Sequence, residues 1–332
     1  MKAKENIFVS TYPFGKFDSL PIDLLKESGL NFSINPLNRK LTAEEVAEFA
    51  KDAIGIIAGT ENLDILINQS SQLKFISRVG IGLDSVPLRL CRRKGIKVSY
   101  TPDAVTLAVA ELVIGMMITL PRHVVLADRQ MRKTQWTRPV GISIKSANIG
   151  IVGFGRVGFK ITQMLVGFTP AKILVCDIID KSEEIESLLA LGLNIEQVSL
   201  DSLLESSDIV SIHVPLTVST RNLIKDRELK LMKKSAYLIN YSRGGIINEE
   251  MVYNSLKNLE IAGMAVDVYE KEPYKGKLIE LENVVLTQHM GSCSFDCRLA
   301  MESQATEELL RFFQAKPLLN EVPEFEFENS EF

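Results

Sequence analysis

The segment Ile149-Gly150-Ile151-Val152-Gly153-Phe154-Gly155-Arg156-Val157-Gly158 constrains this chain more than any other. An apolar run is cut by G-x-G-x-x-G, and helix-like spacing follows at Ile161, Met164 and Leu165. Glycines at these positions permit a tight strand-to-helix turn. They also let main-chain amides approach a pyrophosphate at the helix N-terminus. A glycine-rich turn alone is a weak signal. Here a second apolar run, 172–176, ends at Asp177. An acidic side chain at that place can accept hydrogen bonds from both ribose hydroxyls of an adenosine and repels a 2′-phosphate. Asp180 follows and no arginine stands nearby, so the pattern points to NAD rather than NADP.

Around this turn, short apolar runs alternate with helical patterns. Runs at 7–10, 54–58, 75–79 and 96–99 read as strands, with helices predicted over 22–27, 43–51 and 86–94. An apolar helix over 106–120 stops at Pro121, and a second piece follows over 124–132. Further strands are predicted at 147–152, 172–176, 209–213, 236–239, 263–266 and 284–286. Such alternation specifies parallel sheets flanked by helices. With 332 residues, more than one core usually serves, two α/β units are expected. The second is a doubly wound sheet filling about 106–294. A helix predicted over 298–314 either caps that sheet or returns to the first unit. The acidic end, 324–328, reads as a solvated or weakly docked tail.

Composition removes several function classes. A formal net charge of −4 with scattered Lys and Arg gives no basic field for nucleic acid or an anionic membrane. The cysteines, Cys91, Cys176, Cys293 and Cys297, form neither a disulfide framework nor, lacking a second pair, a metal site. No metal is expected, and the thiols suit the reducing cytoplasm. The N-terminus lacks the apolar core of a signal peptide, and the apolar stretch 107–120 contains Glu111 and is too short to span a bilayer.

The chain has three histidines. His123 follows Arg122 and reads as a surface or inter-helix residue. His213 ends a buried run as His213-Val214-Pro215 and reads as a loop residue at a sheet edge. His289 follows the last predicted strand, and the carboxyl ends of strands are where open α/β sheets bind ligands. Arg243 and Glu272 each stand just past a predicted strand, so three successive strands deliver Arg, Glu and His to one edge. Reduction of a 2-oxo acid requires these residue types. An imidazole can give a proton to the carbonyl oxygen near neutral pH. A guanidinium can hold the carboxylate and polarise the carbonyl. A carboxylate hydrogen-bonded to the imidazole favours the imidazolium.

These residues resemble the D-isomer-specific 2-hydroxyacid dehydrogenases, in particular their phosphoglycerate-dehydrogenase-like branch. The likeness runs from about 54 to 320. It rests on Arg78-Val79-Gly80-Ile81-Gly82-Leu83-Asp84, Ala108-Val109-Ala110-Glu111, Gly153 to Gly158 with Asp177, 208–220, 240–244, 267–273 and His289-Met290-Gly291. The resemblance implies an α/β fold of two doubly wound parallel-sheet domains. A flavodoxin-like substrate domain (1–104 plus 295–332) would flank a Rossmann NAD-binding domain (105–294). Helix 298–314 would then return to the first. The resemblance also implies a homodimer formed through the nucleotide domain. Arg243, Glu272 and His289 would be the catalytic set. Gly153, Gly155, Arg156, Val157, Gly158 and Asp177 would hold the dinucleotide backbone and ribose. His213, Val214, Pro215, Thr220, Ser242, Arg243, His289 and Gly291 would line the cofactor's path, with Asp267 and the Tyr241 carbonyl on the nicotinamide carboxamide. Arg78, the amides of Ile81 and Gly82, Arg243 and His289 would meet the substrate.

Three departures from the family pattern stand out: Gln288 where Pro is usual, Ser292-Cys293-Ser294 after Gly291, and no regulatory domain after residue 320. 3-Phosphoglycerate and its 2-oxo form are the first expected substrate pair. Glyoxylate, hydroxypyruvate or another 2-oxo acid of a specialised pathway is the alternative. A NAD-sensing corepressor-like binding protein is the alternative of another class.

Overall fold

The computed structural model describes residues 6–329. The chain forms two compact units, one from the residues up to 105 together with those from 293 onward, the other from 106–292. In the first, β1 (Asn6–Val9), β2 (Asn31–Ile34), β3 (Gly55–Ala58), β4 (Phe75–Arg78) and β5 (Lys97–Ser99) pair in parallel in the order β2-β1-β3-β4-β5. β3 and β4 are buried along their whole length, as parallel strands covered on both faces must be. β2 was not expected. Its residues, Asn31-Phe32-Ser33-Ile34, alternate between exposed and half-buried at the sheet margin.

Helix Phe295–Phe313 belongs to this first unit. Its Phe312 ring stacks on Phe75 with centroids 4.5 Å apart, and Ser77 Oγ donates to the Ala305 carbonyl at 2.6 Å. Beyond it, Val322 is buried and its amide donates to the Val98 carbonyl at 2.9 Å, covering the free side of β5. Of the two readings of the acidic end, solvated or docked, the docked one holds, and Glu324–Asn329 is a helix. It lies against helix Leu88–Lys94, where Arg92 pairs with Glu324 and sets its guanidinium 5.0 Å from the Phe327 ring.

The second unit carries β6 (Asn148–Val152), β7 (Lys172–Cys176), β8 (Ile195–Gln197), β9 (Ile209–Ile212), β10 (Tyr237–Asn240), β11 (Gly263–Val266) and β12 (Val284–Leu286). They form one parallel sheet in the order β12-β11-β10-β9-β6-β7-β8. Strand order reverses between β6 and β9, and a doubly wound sheet opens its ligand crevice at the carboxyl ends beside such a reversal. Helix Thr106–Thr119 places Ala110, Val113, Ile114 and Met117 in one apolar core with Ile149 and Ile151 of β6. Among the described residues no single helix is long and apolar enough to cross a membrane. The bent pair Thr106–Thr119 and Val124–Arg132 passes on length and composition together, and the burial of its first member is that of a core helix.

Candidate active site

The β6 turn is built around Gly153, whose φ of +91° places it where only glycine sits without strain. A Cβ there would lie 2.8 Å from the His213 carbonyl, so the turn packs directly on the start of the His213-Val214-Pro215 segment. Gly158, in the first turn of helix Arg156–Leu165, lies close against the Gly153 carbonyl. Nothing stands within 4 Å of the direction a Cβ would take at Gly155, and no side chain caps this helix. The first-turn amides thus have no side-chain cap, which suits a pyrophosphate. Arg156 is exposed there, and Val157 packs against the core.

Asp177 follows β7 and accepts from the Phe154 amide at 2.7 Å and the Ile179 amide at 3.0 Å. Each carboxylate oxygen has a second lone-pair direction left for a diol. The residues present thus fit an adenine dinucleotide. Thr220 Oγ1 donates to the Pro215 carbonyl at 2.6 Å and closes the far side of the 213–220 loop. His213 keeps a neutral ring: burial pulls its pKa down to about 3, and its Nε2 lies 2.8 Å from Ser211 Oγ.

Loops after β10, β11 and β12, three neighbouring strands, carry Arg243, Glu272 and His289. Glu272 and His289 meet, with Nδ1 of the imidazole 2.8 Å from Oε2 and 3.0 Å from Oε1. Nδ1 is turned to the carboxylate, so Nε2 is the ring nitrogen left to face a ligand. Both side chains stay accessible, at 41% for His289 and 36% for Glu272. Arg243 Nη1 donates to the Ser242 carbonyl at 2.7 Å, and Asn240 Nδ2 donates to the Arg243 carbonyl at 2.9 Å, bracing that loop.

Beneath the pair lies Asp267, 1% exposed. Its carboxylate accepts from Thr287 Oγ1 at 2.6 Å, the Met290 amide at 2.9 Å and the Gly291 amide at 2.8 Å, while its carbonyl accepts from the His289 amide at 2.8 Å. Tyr241 joins through a 2.9 Å contact with Thr287 Oγ1, and burial pushes its phenol up to about 12. Tyr269 donates to the Thr287 carbonyl at 2.8 Å and stacks on Tyr274, ring centroids 4.1 Å apart. No sequence signal marks Thr287 as an anchor of the histidine turn. Its residue type is ordinary, and the pairing of β11 with β12 brings it there.

In the first unit, Arg78 ends β4 at 7% exposure and donates to the Val79 carbonyl. Gly80 N donates to Thr101 Oγ1 at 2.7 Å, fixing the turn that leads to the half-buried Ile81 and the buried Gly82. Among the described residues no group of His, Cys, Asp or Glu is arranged to hold a metal ion.

The fold and the glycine turn define a dinucleotide-binding enzyme, and comparison with known proteins narrows the class. Residues 114–291 match the family described as D-isomer specific 2-hydroxyacid dehydrogenase, NAD binding domain. A glyoxylate reductase of Thermofilum pendens is 38% identical over 269 residues, 78% of each chain. A D-3-phosphoglycerate dehydrogenase of Methanocaldococcus jannaschii is 32% identical over 288 residues, 85% of this chain. This chain spans only 54% of that relative's length. Among solved structures, the TT0316 protein of Thermus thermophilus superposes with a TM-score of 0.85 at 28% identity, over 96% of this chain and all of the other. The chain belongs to the D-isomer specific 2-hydroxyacid dehydrogenase family. It is an NAD-dependent oxidoreductase that acts on the CH–OH group of a small 2-hydroxy acid.

Proposed function

We propose that this enzyme reduces a small, unphosphorylated 2-oxo acid of the glyoxylate and hydroxypyruvate class. The observation that carries the reading is Arg78. It is the residue best suited to a substrate phosphate, yet its guanidinium is buried and bonded to the Val79 carbonyl. Drawing it toward a ligand would take the side chain out of its buried packing. The 38% identical relative named a glyoxylate reductase agrees with this choice, whereas the phosphoglycerate dehydrogenase is matched over little more than half its length.

In this reading NADH, when bound, supplies the hydride that reaches C2. Arg243 grips the substrate carboxylate and polarises the carbonyl. His289 holds the proton at Nε2 and delivers it to the carbonyl oxygen, with Glu272 holding Nδ1 and fixing the ring's orientation. Asp267 and the Tyr241 carbonyl serve the nicotinamide carboxamide; after three donors, one lone-pair direction of the Asp267 carboxylate remains for it. The chain acts in the cytoplasm, in keeping with its four free cysteines. It assembles as a homodimer through the second unit, where Val124, Met131, Trp136, Val140 and Ile142 expose an apolar arm.

The test is NADH oxidation over a panel of 2-oxo acids. Glyoxylate or hydroxypyruvate should exceed 3-phosphohydroxypyruvate in kcat/KM by at least about tenfold, the equivalent of about 1.4 kcal/mol. The reverse order would return Arg78 to a phosphate-binding role. NADH binding without turnover of any acid would favour a binding protein.

A further inference from the structure

We infer that Glu249 is a positioning residue for the proton-transfer pair, tying the loop that carries Arg243 to the loop that carries Glu272. Glu249 is the first residue of helix Glu249–Lys257, which begins just after the Arg243 loop. Asn248 already caps that helix, its side chain accepting from the Met251 amide at 3.0 Å. The Glu249 carboxylate reaches away from the helix instead and accepts from the Glu270 amide at 2.8 Å, twenty-one residues further along the chain.

Glu270 lies two residues before Glu272, and Glu272 Oε1 accepts from the Tyr269 amide at 3.3 Å. Glu249 thus holds the Tyr269–Glu270 peptide unit by its N–H, and Glu272 holds the N–H of the peptide unit just before it. The Tyr269–Glu270 unit also rests on Gly244, where a Cβ would stand 2.0 Å from the Tyr269 carbonyl oxygen. The two loops therefore share one contact surface, with Glu249 as its side-chain bolt. Burial raises the pKa of Glu249, with the charge of Glu270 adding to the effect. Neither is needed for the bond, because a neutral acid or amide oxygen also accepts from an N–H. A carboxylate in the first turn of a helix is a favourable charge in its own right, so the reach to Glu270 has to be separated from the charge.

The inference rests on the proposed pairing of Glu272 with His289, and the experiment keeps the two apart. Glu249→Ala, Glu249→Asp, Glu249→Gln and, as a control, Glu272→Gln are compared for kcat and for KM of the 2-oxo acid and of NADH. Amide hydrogen exchange over 267–273 is measured in the cofactor-free chain. Glu249→Ala should lower kcat about tenfold, leave both KM values within about twofold, and speed exchange in that loop, since a misplacement well under 1 Å is enough for such a loss. Glu249→Asp keeps the helix-terminal charge but is a methylene short, and should behave like alanine. Glu249→Gln keeps reach and acceptor, and should recover kcat to within about threefold of the parent. The inference is overturned if Glu249→Ala leaves kcat and exchange unchanged, or if Glu249→Asp matches the parent. It is equally overturned if kcat falls with no change in exchange at 267–273. Should Glu272→Gln itself turn over normally, the reading of the pair falls and the inference with it. Should Glu272→Gln be crippled while Glu249→Ala is not, only the inference falls.

Discussion

At the carboxyl edge of the first sheet two carboxylates are buried and bonded to main chain. Glu61 is 2% exposed and accepts from the Gly59 amide at 2.7 Å and from Ser10 Oγ at 3.3 Å, joining the segments after β1 and β3. Glu302, buried on helix Phe295–Phe313, accepts from the Gly15 amide at 2.8 Å, and its partner Arg298 donates to the Pro13 carbonyl. At the same edge of the second sheet the buried carboxylate is Asp267, and above it Glu272 and His289 remain accessible. Buried charge at both edges organises backbone, and at the second edge an ionisable pair also stays accessible to a ligand. Position at a strand end does not by itself mark a reacting group; its remaining hydrogen-bonding capacity does.

The contrast between the two edges is most exposed at His289. His289→Ala should lower kcat about 10³-fold, the usual scale of a lost general acid, while NADH affinity by fluorescence titration stays within about threefold. A loss under tenfold would make the accessible pair as structural as the buried ones. Next comes Glu61→Ala, which leaves the Gly59 amide without its acceptor and should reduce unfolding free energy in urea by about 2 kcal/mol. Unchanged stability with a raised substrate KM would turn that edge into a binding surface. Asp177→Asn keeps an acceptor for the Phe154 amide but removes the charge that repels a 2′-phosphate. The preference for NAD over NADP in kcat/KM should shrink about tenfold, or about 1.4 kcal/mol, and an unchanged ratio would remove Asp177 from the ribose site.

A slighter change is expected at His213. Its folded pKa, about 3, lies below the 6.5 of an unfolded histidine. Below pH 6.5 the unfolded chain therefore takes up a proton that the folded chain refuses. Stability from this group is present above pH 6.5 and drains away as pH falls toward 3, by at most about 1.4 kcal/mol per pH unit. His213→Asn should flatten the urea-unfolding profile between pH 6.5 and 5. An identical slope in parent and variant would mean that the ring is not desolvated.

What the sequence disclosed divides along physical lines. The central strands were legible because a parallel strand buried on both faces is written as a continuous apolar run, as in β3, β4, β9 and β10. The marginal strands β2 and β8 were not, because Asn31-Phe32-Ser33-Ile34 and Ile195-Glu196-Gln197 carry polar residues where one side meets solvent. The terminal helix escaped notice because its docking depends on Arg92, more than two hundred residues away. Motifs in register marked the glycine turn, Asp177 and the Arg, Glu and His loops. Nothing local marked Glu249, whose partner at Glu270 is set by the lie of neighbouring strands.

Helix Phe295–Phe313 gives this chain an unusual order of assembly. The ribosome releases β1 to β5 first, yet the cover for Phe75 and Ser77 arrives only with Phe312 and Ala305. Residues 106–292, by contrast, are contiguous and can collapse as soon as they emerge. During synthesis the earliest segment must therefore wait, partly uncovered, while the later one matures. That places the period of greatest need for chaperone protection in the nascent N-terminal third.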